Sequence, residues 1–288
     1  ANPQRDNSNE YSDRLLGCIV NYACHATTSP GGISANYICY LEKAVRGMMG
    51  NQAIVVFTAG ACGDVTQVDN LSPYQQRTGE QSAQFVGGRI GLEAAKVMLS
   101  MDRTPAARID FRSKVLRIPR RAPPPERVAE ALRRIQESSP KEDATAWTFA
   151  KETLMLDAKL KKEPLADVEV QAVQIGPAVL VSNPAEYFCQ LGLDIKMGSR
   201  FPLTFPVSLA NGCVGYVPTE AALGPHGGGY ETRLTSYSNL VPTAGTTIAQ
   251  ECIQLTEQLA PEPVPTGKPH APFQGTGWGY GNVPPEVH

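Results

Sequence analysis

Two stretches decide how this chain is read: L-L-G-C-I-V-N-Y-A-C-H-A-T-T (residues 15–28) and A-I-V-V-F-T-A-G-A-C-G-D-V-T (residues 53–66). Each is an apolar run of strand length that empties into small and polar residues. Leu15 to Val20 is short, partly β-branched and too brief for an independent helix, so it reads as a buried strand. It delivers Asn21, Cys24, His25, Thr27 and Thr28 to its C-terminal end. Ala53 to Phe57 does the same for Gly60, Cys62, Gly63, Asp64 and Thr66. Mixed α/β folds place ligand and catalytic groups in loops at the carboxyl ends of strands. The two loops are therefore expected to share a cleft.

Working outward, Asn36 to Met49 carries apolar residues at three- and four-residue steps and predicts a helix stopped by Gly50. Gln81 to Met101 predicts a longer one, with Gly87-Gly88 packed closely against a strand. Ala107 to Ile118 alternates apolar and charged residues, the period of a half-exposed strand. R-R-A-P-P-P (120–125) is a hinge. Glu126 to Ser138 and Lys141 to Lys162 then form a helical hairpin, an accessory excursion (123–163) placed to cover the cleft. Asp167 to Ile175 and Ala178 to Ser182 predict a β-hairpin turning at Gly176-Pro177, its second strand central. Pro184 is expected to open a helix reaching about Lys196. Leu203 to Leu209 is a further strand, 219–239 a loop, and Thr246 to Leu259 a closing helix. The fold class is mixed α/β, with one domain over 1–260 and a proline-rich, extended tail over 261–288.

Composition bounds the function. A chain of 288 residues, 42% hydrophobic and 19% charged, can bury a real core. Its formal net charge of −2 and lack of a basic block argue against a nucleic-acid partner. No apolar run approaches the roughly 18 to 20 residues of a transmembrane helix. Residues 1–10 read as a polar lead-in without the apolar segment of a signal peptide. Seven cysteines lie mostly in apolar segments with no C-x-x-C pair, which suits buried free thiols and leaves any disulfide undeducible.

N-Y-A-C-H-A-T-T, G-I-S-A-N-Y (32–37), G-A-C-G-D-V-T (60–66), N-P-A-E-Y-F (183–188), A-N-G-C-V-G-Y (210–216) and G-G-Y-E-T-R-L-T-S-Y (228–237) resemble, in order, motifs of the neutral/alkaline ceramidase family. Those are zinc amidohydrolases that cut the N-acyl bond of sphingolipids. The likeness covers roughly residues 14 to 256, the central and C-terminal part of that family's catalytic domain. It implies Zn2+ held by His25, Glu186 and Tyr230, with a metal-activated water attacking an N-acyl carbonyl. Tyr237, Asp64 and Thr66 would line the site, Tyr237 helping to polarise the carbonyl. On the residues alone, His25 also reads as a structural histidine, Glu186 as a first-turn carboxylate suited to the helix dipole, and Tyr230 as a loop aromatic. His226, beside three glycines, reads as a loop or a site residue.

The chain departs from the family pattern in four places, the first being Ala185, where the family has a glycine before the glutamate. Thr66 stands where the family has a serine. No H-x-H motif occurs among the four histidines, His25, His226, His270 and His288. The resemblance therefore implies that an N-terminal portion, or a companion chain, supplies further histidines and that these residues alone are inactive. The family's immunoglobulin-like C-terminal domain has no counterpart here. A secreted or periplasmic location is suggested by the resemblance only. The expected substrate is an N-acylated small molecule or lipid. Three rivals remain: the same metal chemistry on a non-sphingolipid amide or ester, a cysteine hydrolase using Cys24 or Cys62 with His25, and a non-catalytic subunit.

Overall fold

The computed structural model describes residues 15–101, 107–266 and 284–288. The lead-in and most of the proline-rich tail lie outside them. The first strand, β1 (Gly17–Tyr22), pairs in parallel with β2 (Ile54–Ala59), and α1 (Tyr37–Met49) connects them. Asn36 starts α1 by accepting the Tyr37 N–H on its own side chain. The next helix, α2 (Gly79–Leu99), lies along α1. A Cβ on Gly87 would lie 1.9 Å from the Tyr37 carbonyl oxygen, and one on Gly91 would lie 2.4 Å from that of Leu41. The expected glycine contact thus exists, but the surface met is a helix, and Gly91 rather than Gly88 shares it. Two backbones can approach this closely only where no side chain intervenes.

The second unit is a four-stranded sheet ordered β3-β4-β5-β7. β3 (Ile109–Pro119) and β4 (Leu165–Ile175) pair antiparallel, as do β4 and β5 (Ala178–Ser182), while β5 and β7 (Leu203–Val207) are parallel. The β4–β5 hairpin turns at Gly176-Pro177 as its sequence predicts, with Gly176 at φ 58°. Alternate residues of β4, including Val168, Val170 and Ala172, are fully buried. They meet Ile195 of α5 (Cys189–Gly198) and Ile248, Cys252 and Leu255 of α6 (Ala244–Glu257) in the principal core. Each Val, Ile or Leu among them contributes about 1.5–3 kcal/mol by leaving water. The two units meet edge to edge: Ser208 N donates to the Ala59 carbonyl at 2.9 Å, and Asn21 Nδ2 to that of Pro206 at 2.9 Å.

The helical excursion is present as α3 (Pro125–Glu137) and α4 (Ala144–Leu160). One expectation fails at Pro184. The chain does not enter a helix there; it forms a two-residue strand, β6 (Glu186–Tyr187), paired in parallel with β8 (Tyr216–Val217). Only after Phe188 does α5 begin. Glu186 is therefore not a first-turn helix carboxylate. The start of the tail docks on the β4–β5 turn, where Gln174 Nε2 donates to the Ala260 carbonyl.

Candidate active site

The loop after β2 brings the two units' chemistry together. Gly63 N donates to the Tyr187 carbonyl at 2.8 Å, and a Cβ on Gly63 would strike the Glu186 carbonyl oxygen at 2.4 Å. Asp64 Oδ1 accepts the Cys189 N–H at 2.7 Å, tying the same loop to the start of α5. One residue on, the Val65 carbonyl accepts from His25 N at 3.0 Å and faces His25 Nδ1 at 3.2 Å. Residues 63–65 thus form a clasp, with the end of β1 on one side and β6 on the other.

Inside the clasp, His25 Nε2 lies 2.7 Å from Glu186 Oε2. The other carboxylate oxygen, Oε1, accepts from the Tyr237 hydroxyl at 2.6 Å. Cys213 Sγ lies 3.1 Å from the same hydroxyl. Tyr216 stands among them, its ring centroid 6.2 Å from that of His25, 6.1 Å from Tyr237 and 5.6 Å from Tyr230. Its hydroxyl lies 3.1 Å from the Tyr230 hydroxyl. Close packing of glycine allows this arrangement too. Gly215, at φ 77°, lies so near the Tyr237 backbone that a Cβ would come within 2.0 Å of that carbonyl oxygen. The helical hairpin holds the rim: Glu152 accepts from Ser236 N at 3.1 Å, and Arg127 Nη2 donates to the Leu234 carbonyl.

Electrostatics make His25 and Glu186 an ion pair. Hydrogen bonding to Cys62 and then to Glu186 raises the His25 pKa to about 11, outweighing burial, which favours the neutral ring. Burial pushes the Glu186 carboxyl upward, but hydrogen bonds from His25, Tyr237 and Tyr216 win and hold it below the usual range. Burial, then hydrogen bonding to Cys213 and Glu186, keeps the Tyr237 phenol protonated. Tyr216 is raised by burial, its bond to Tyr230 and the Glu186 charge.

Among the residues expected at the site, His25, Glu186 and Tyr237 are in direct contact, and Tyr230 joins through Tyr216. Asp64 spends a carboxylate oxygen on the α5 backbone. Thr66 is exposed, its hydroxyl bonded to Gln67 and within 3.3 Å of the Thr27 hydroxyl. His226 is an exposed loop residue. Sequence reasoning passed over Tyr216 and Cys213, although both sit inside the quoted A-N-G-C-V-G-Y motif.

Both faces of the His25 ring are committed: Nδ1 toward a carbonyl and Nε2 toward a carboxylate, two acceptors that call for two N–H donors. Cys24 is buried and its thiol pushed up to about 11, mainly by that burial. A thiol so protonated is a weak nucleophile.

The donor chemistry suits zinc as far as it goes. An imidazole nitrogen and a carboxylate oxygen are zinc donors, but at 2.7 Å these two share a hydrogen bond and stand closer than two ligands of one tetrahedral ion, which are about 3.3 Å apart from bond lengths near 2.0–2.1 Å. Among the described residues no group of three His, Cys, Asp or Glu side chains converges for a metal. Tyr230 lies outside those types.

No protein-family profile matches the chain. No curated protein matches it either. Solved structures do. The crystal structure of neutral ceramidase from Pseudomonas aeruginosa superposes with a TM-score of 0.58 at 15% identity, over 89% of this chain and 47% of that one. A ceramidase complexed with C2 gives 0.57 at 16% identity, over 88% and 48%. The chain spans about half the length of the ceramidase structures it matches, and over that half its fold is theirs.

Proposed function

We propose that this chain forms part of a zinc-dependent hydrolase of the neutral ceramidase type, cleaving the N-acyl amide bond of a lipid or small molecule. The observation that carries the reading is the meeting of His25, Glu186 and Tyr237 across two units at the carboxyl ends of β1 and β5. The shared fold and the ordered motifs support it. His25 Nε2, Glu186 Oε2 and the Tyr230 hydroxyl would hold the zinc, and a further histidine from polypeptide outside these residues would complete the set. A zinc ion bound there would supply Lewis acidity, polarising the scissile carbonyl and acidifying a water.

The chain's own residues do the rest. Tyr237 fixes one oxygen of Glu186 and so orients the other toward His25. Because its phenol stays protonated, Tyr237 can instead turn its single O–H from Glu186 to the oxygen on which charge develops as the amide carbon is attacked. Tyr216 packs against His25 and limits its rotation. The Asp64 carboxylate acts through position, holding the clasp closed.

Elemental analysis of zinc in the dialysed chain, together with amide turnover by the full-length polypeptide that contains it, tests this. His25→Ala and Glu186→Gln should lose bound zinc and turnover together. Tyr237→Phe should retain zinc and lose about 100-fold in turnover, the usual effect of removing one oxyanion donor. Unchanged zinc content and turnover in the first two variants refute the reading. Comparison of ceramides with short acyl amides and esters then decides the substrate.

A further inference from the structure

The turn that carries Tyr237 is ringed by positive charge that the reaction chemistry leaves unused. Arg120 and Arg121 precede α3, Arg127 lies in its first turn, and Lys159 lies in the last turn of α4. All four are half-buried. Asn239, fully buried, knots the turn by donating from Nδ2 to the Thr235 and Ser236 carbonyls. Its Oδ1 accepts from Arg120 Nη1 at 2.7 Å, and its backbone carbonyl accepts from Arg121 N at 2.7 Å. Arg120 Nε donates to the Glu163 carbonyl, and Arg127 Nη2 to that of Leu234. Every one of these acceptors is neutral, so the guanidinium groups are held in place without their charge being cancelled. Arg121 Nε is buried and meets no acceptor among the described residues. None of the four cations forms an ion pair there either. Of the nearby carboxylates, Glu152 is spent on Ser236 N, and Glu163 reaches Arg120 and Lys159 only through space.

The charges feel one another. Burial and then Arg127 push the Arg121 guanidinium below its usual range. Burial and then Arg120 do the same to the Lys159 ammonium, with Glu163 and Cys213 acting the other way. Cys213 is also the residue whose Sγ lies 3.1 Å from the Tyr237 hydroxyl, so the cations adjoin the reacting edge of the cleft. Half-buried like charges without counter-ions cost stability. The chain as a whole carries −2, so this is a local concentration and not a basic surface. Charge of one sign lining a cleft gathers ligands of the other. We propose that Arg120, Arg121, Arg127 and Lys159 receive an anionic group of the substrate, a carboxylate, sulfonate or phosphate, while its N-acyl amide lies at Tyr237 and His25. This rests on the amide-hydrolase reading and narrows its substrate class to N-acylated amines that carry a negative charge. Guanidinium forks match the paired oxygens of such a group, and Lys159 adds a point charge. An uncharged N-acyl lipid would leave all four cations uncompensated.

Calorimetry on the full-length polypeptide that contains this chain tests the proposal with uncleavable ketone analogues, in which a methylene replaces the amide N–H. The analogue of N-decanoylglycine is compared with that of uncharged N-decanoylethanolamine. Their affinity ratio is taken within each variant, so that a smaller folded fraction cancels. The anionic analogue should bind at least about 10-fold more tightly, the scale of one charge-assisted hydrogen bond, and added salt should narrow the ratio. Arg121→Gln and Lys159→Gln should each lower it about 5-fold or more. Lys159→Arg should keep it, as should Lys96→Gln, a change on α2 at a lysine paired with Glu93. Taurine and phosphoethanolamine headgroups then rank sulfonate and phosphate against carboxylate. A ratio near one in the parent overturns the proposal, and so does a preference that survives both glutamine variants. Cleavage of the parent amides separates the two readings. A preference that holds while neither amide is cleaved defeats the hydrolase reading alone, and cleavage of both with a ratio near one defeats this one alone.

Discussion

Around β4 and β5 one face of the sheet is covered by α5 and α6, which bury alternate side chains completely, whereas among the described residues one face and one edge of β1 and β2 stand open. The same α/β grammar thus yields a finished core in one region and an unfinished one in the other. His25 belongs to the open region and Glu186 to the closed one, so the ion pair lies on the seam. The buried core presents the carboxylate, and the more exposed pair of strands presents the imidazole.

The sharpest way to break this contrast applies one chemical change to both regions. Ile195→Ala, in the closed core, should lower unfolding free energy by about 3 kcal/mol. Ile54→Ala, on the bare face, should stay within about 0.5 kcal/mol in the same urea titration. Equal losses would mean that the β1–β2 face is covered in solution. The seam itself is probed next: Gly63→Ala forces a methyl onto the Glu186 carbonyl and should cost about 2 kcal/mol. It should also weaken zinc binding more than Ile195→Ala does, measured by competition with a chelating dye. The smallest effect is expected for Asp64→Ala, which removes the tie to the Cys189 N–H and should cost about 1 kcal/mol. Its zinc affinity should fall only as far as the clasp loosens, and an unchanged affinity would show that the glycine contacts alone hold the seam.

Local pattern was enough for most elements, because α1, β2, β4 and β5 are fixed by residues within one window. It misled at Pro184, where helix-opening chemistry lost to a pairing with Tyr216 and Val217, thirty residues on. It misled at Gly87 for the same reason: a close approach is legible, but not the identity of what approaches. The ion pair was beyond such reasoning altogether, since its members are 161 positions apart. Only ordered motifs resembling a known family placed His25, Glu186 and Tyr237 together. Tyr216 escaped because an aromatic beside a glycine carries no mark of what it will touch.

The contact between Glu152 and Ser236 has a consequence for how such a cleft can vary. The loop bearing Tyr230 and Tyr237 is moored to a projecting pair of helices, while the ion pair beneath is set by short strands and glycines that tolerate no added atom. Lengthening or reshaping the projection would move the wall of the cleft and leave its floor undisturbed, so selectivity and chemistry can be adjusted separately.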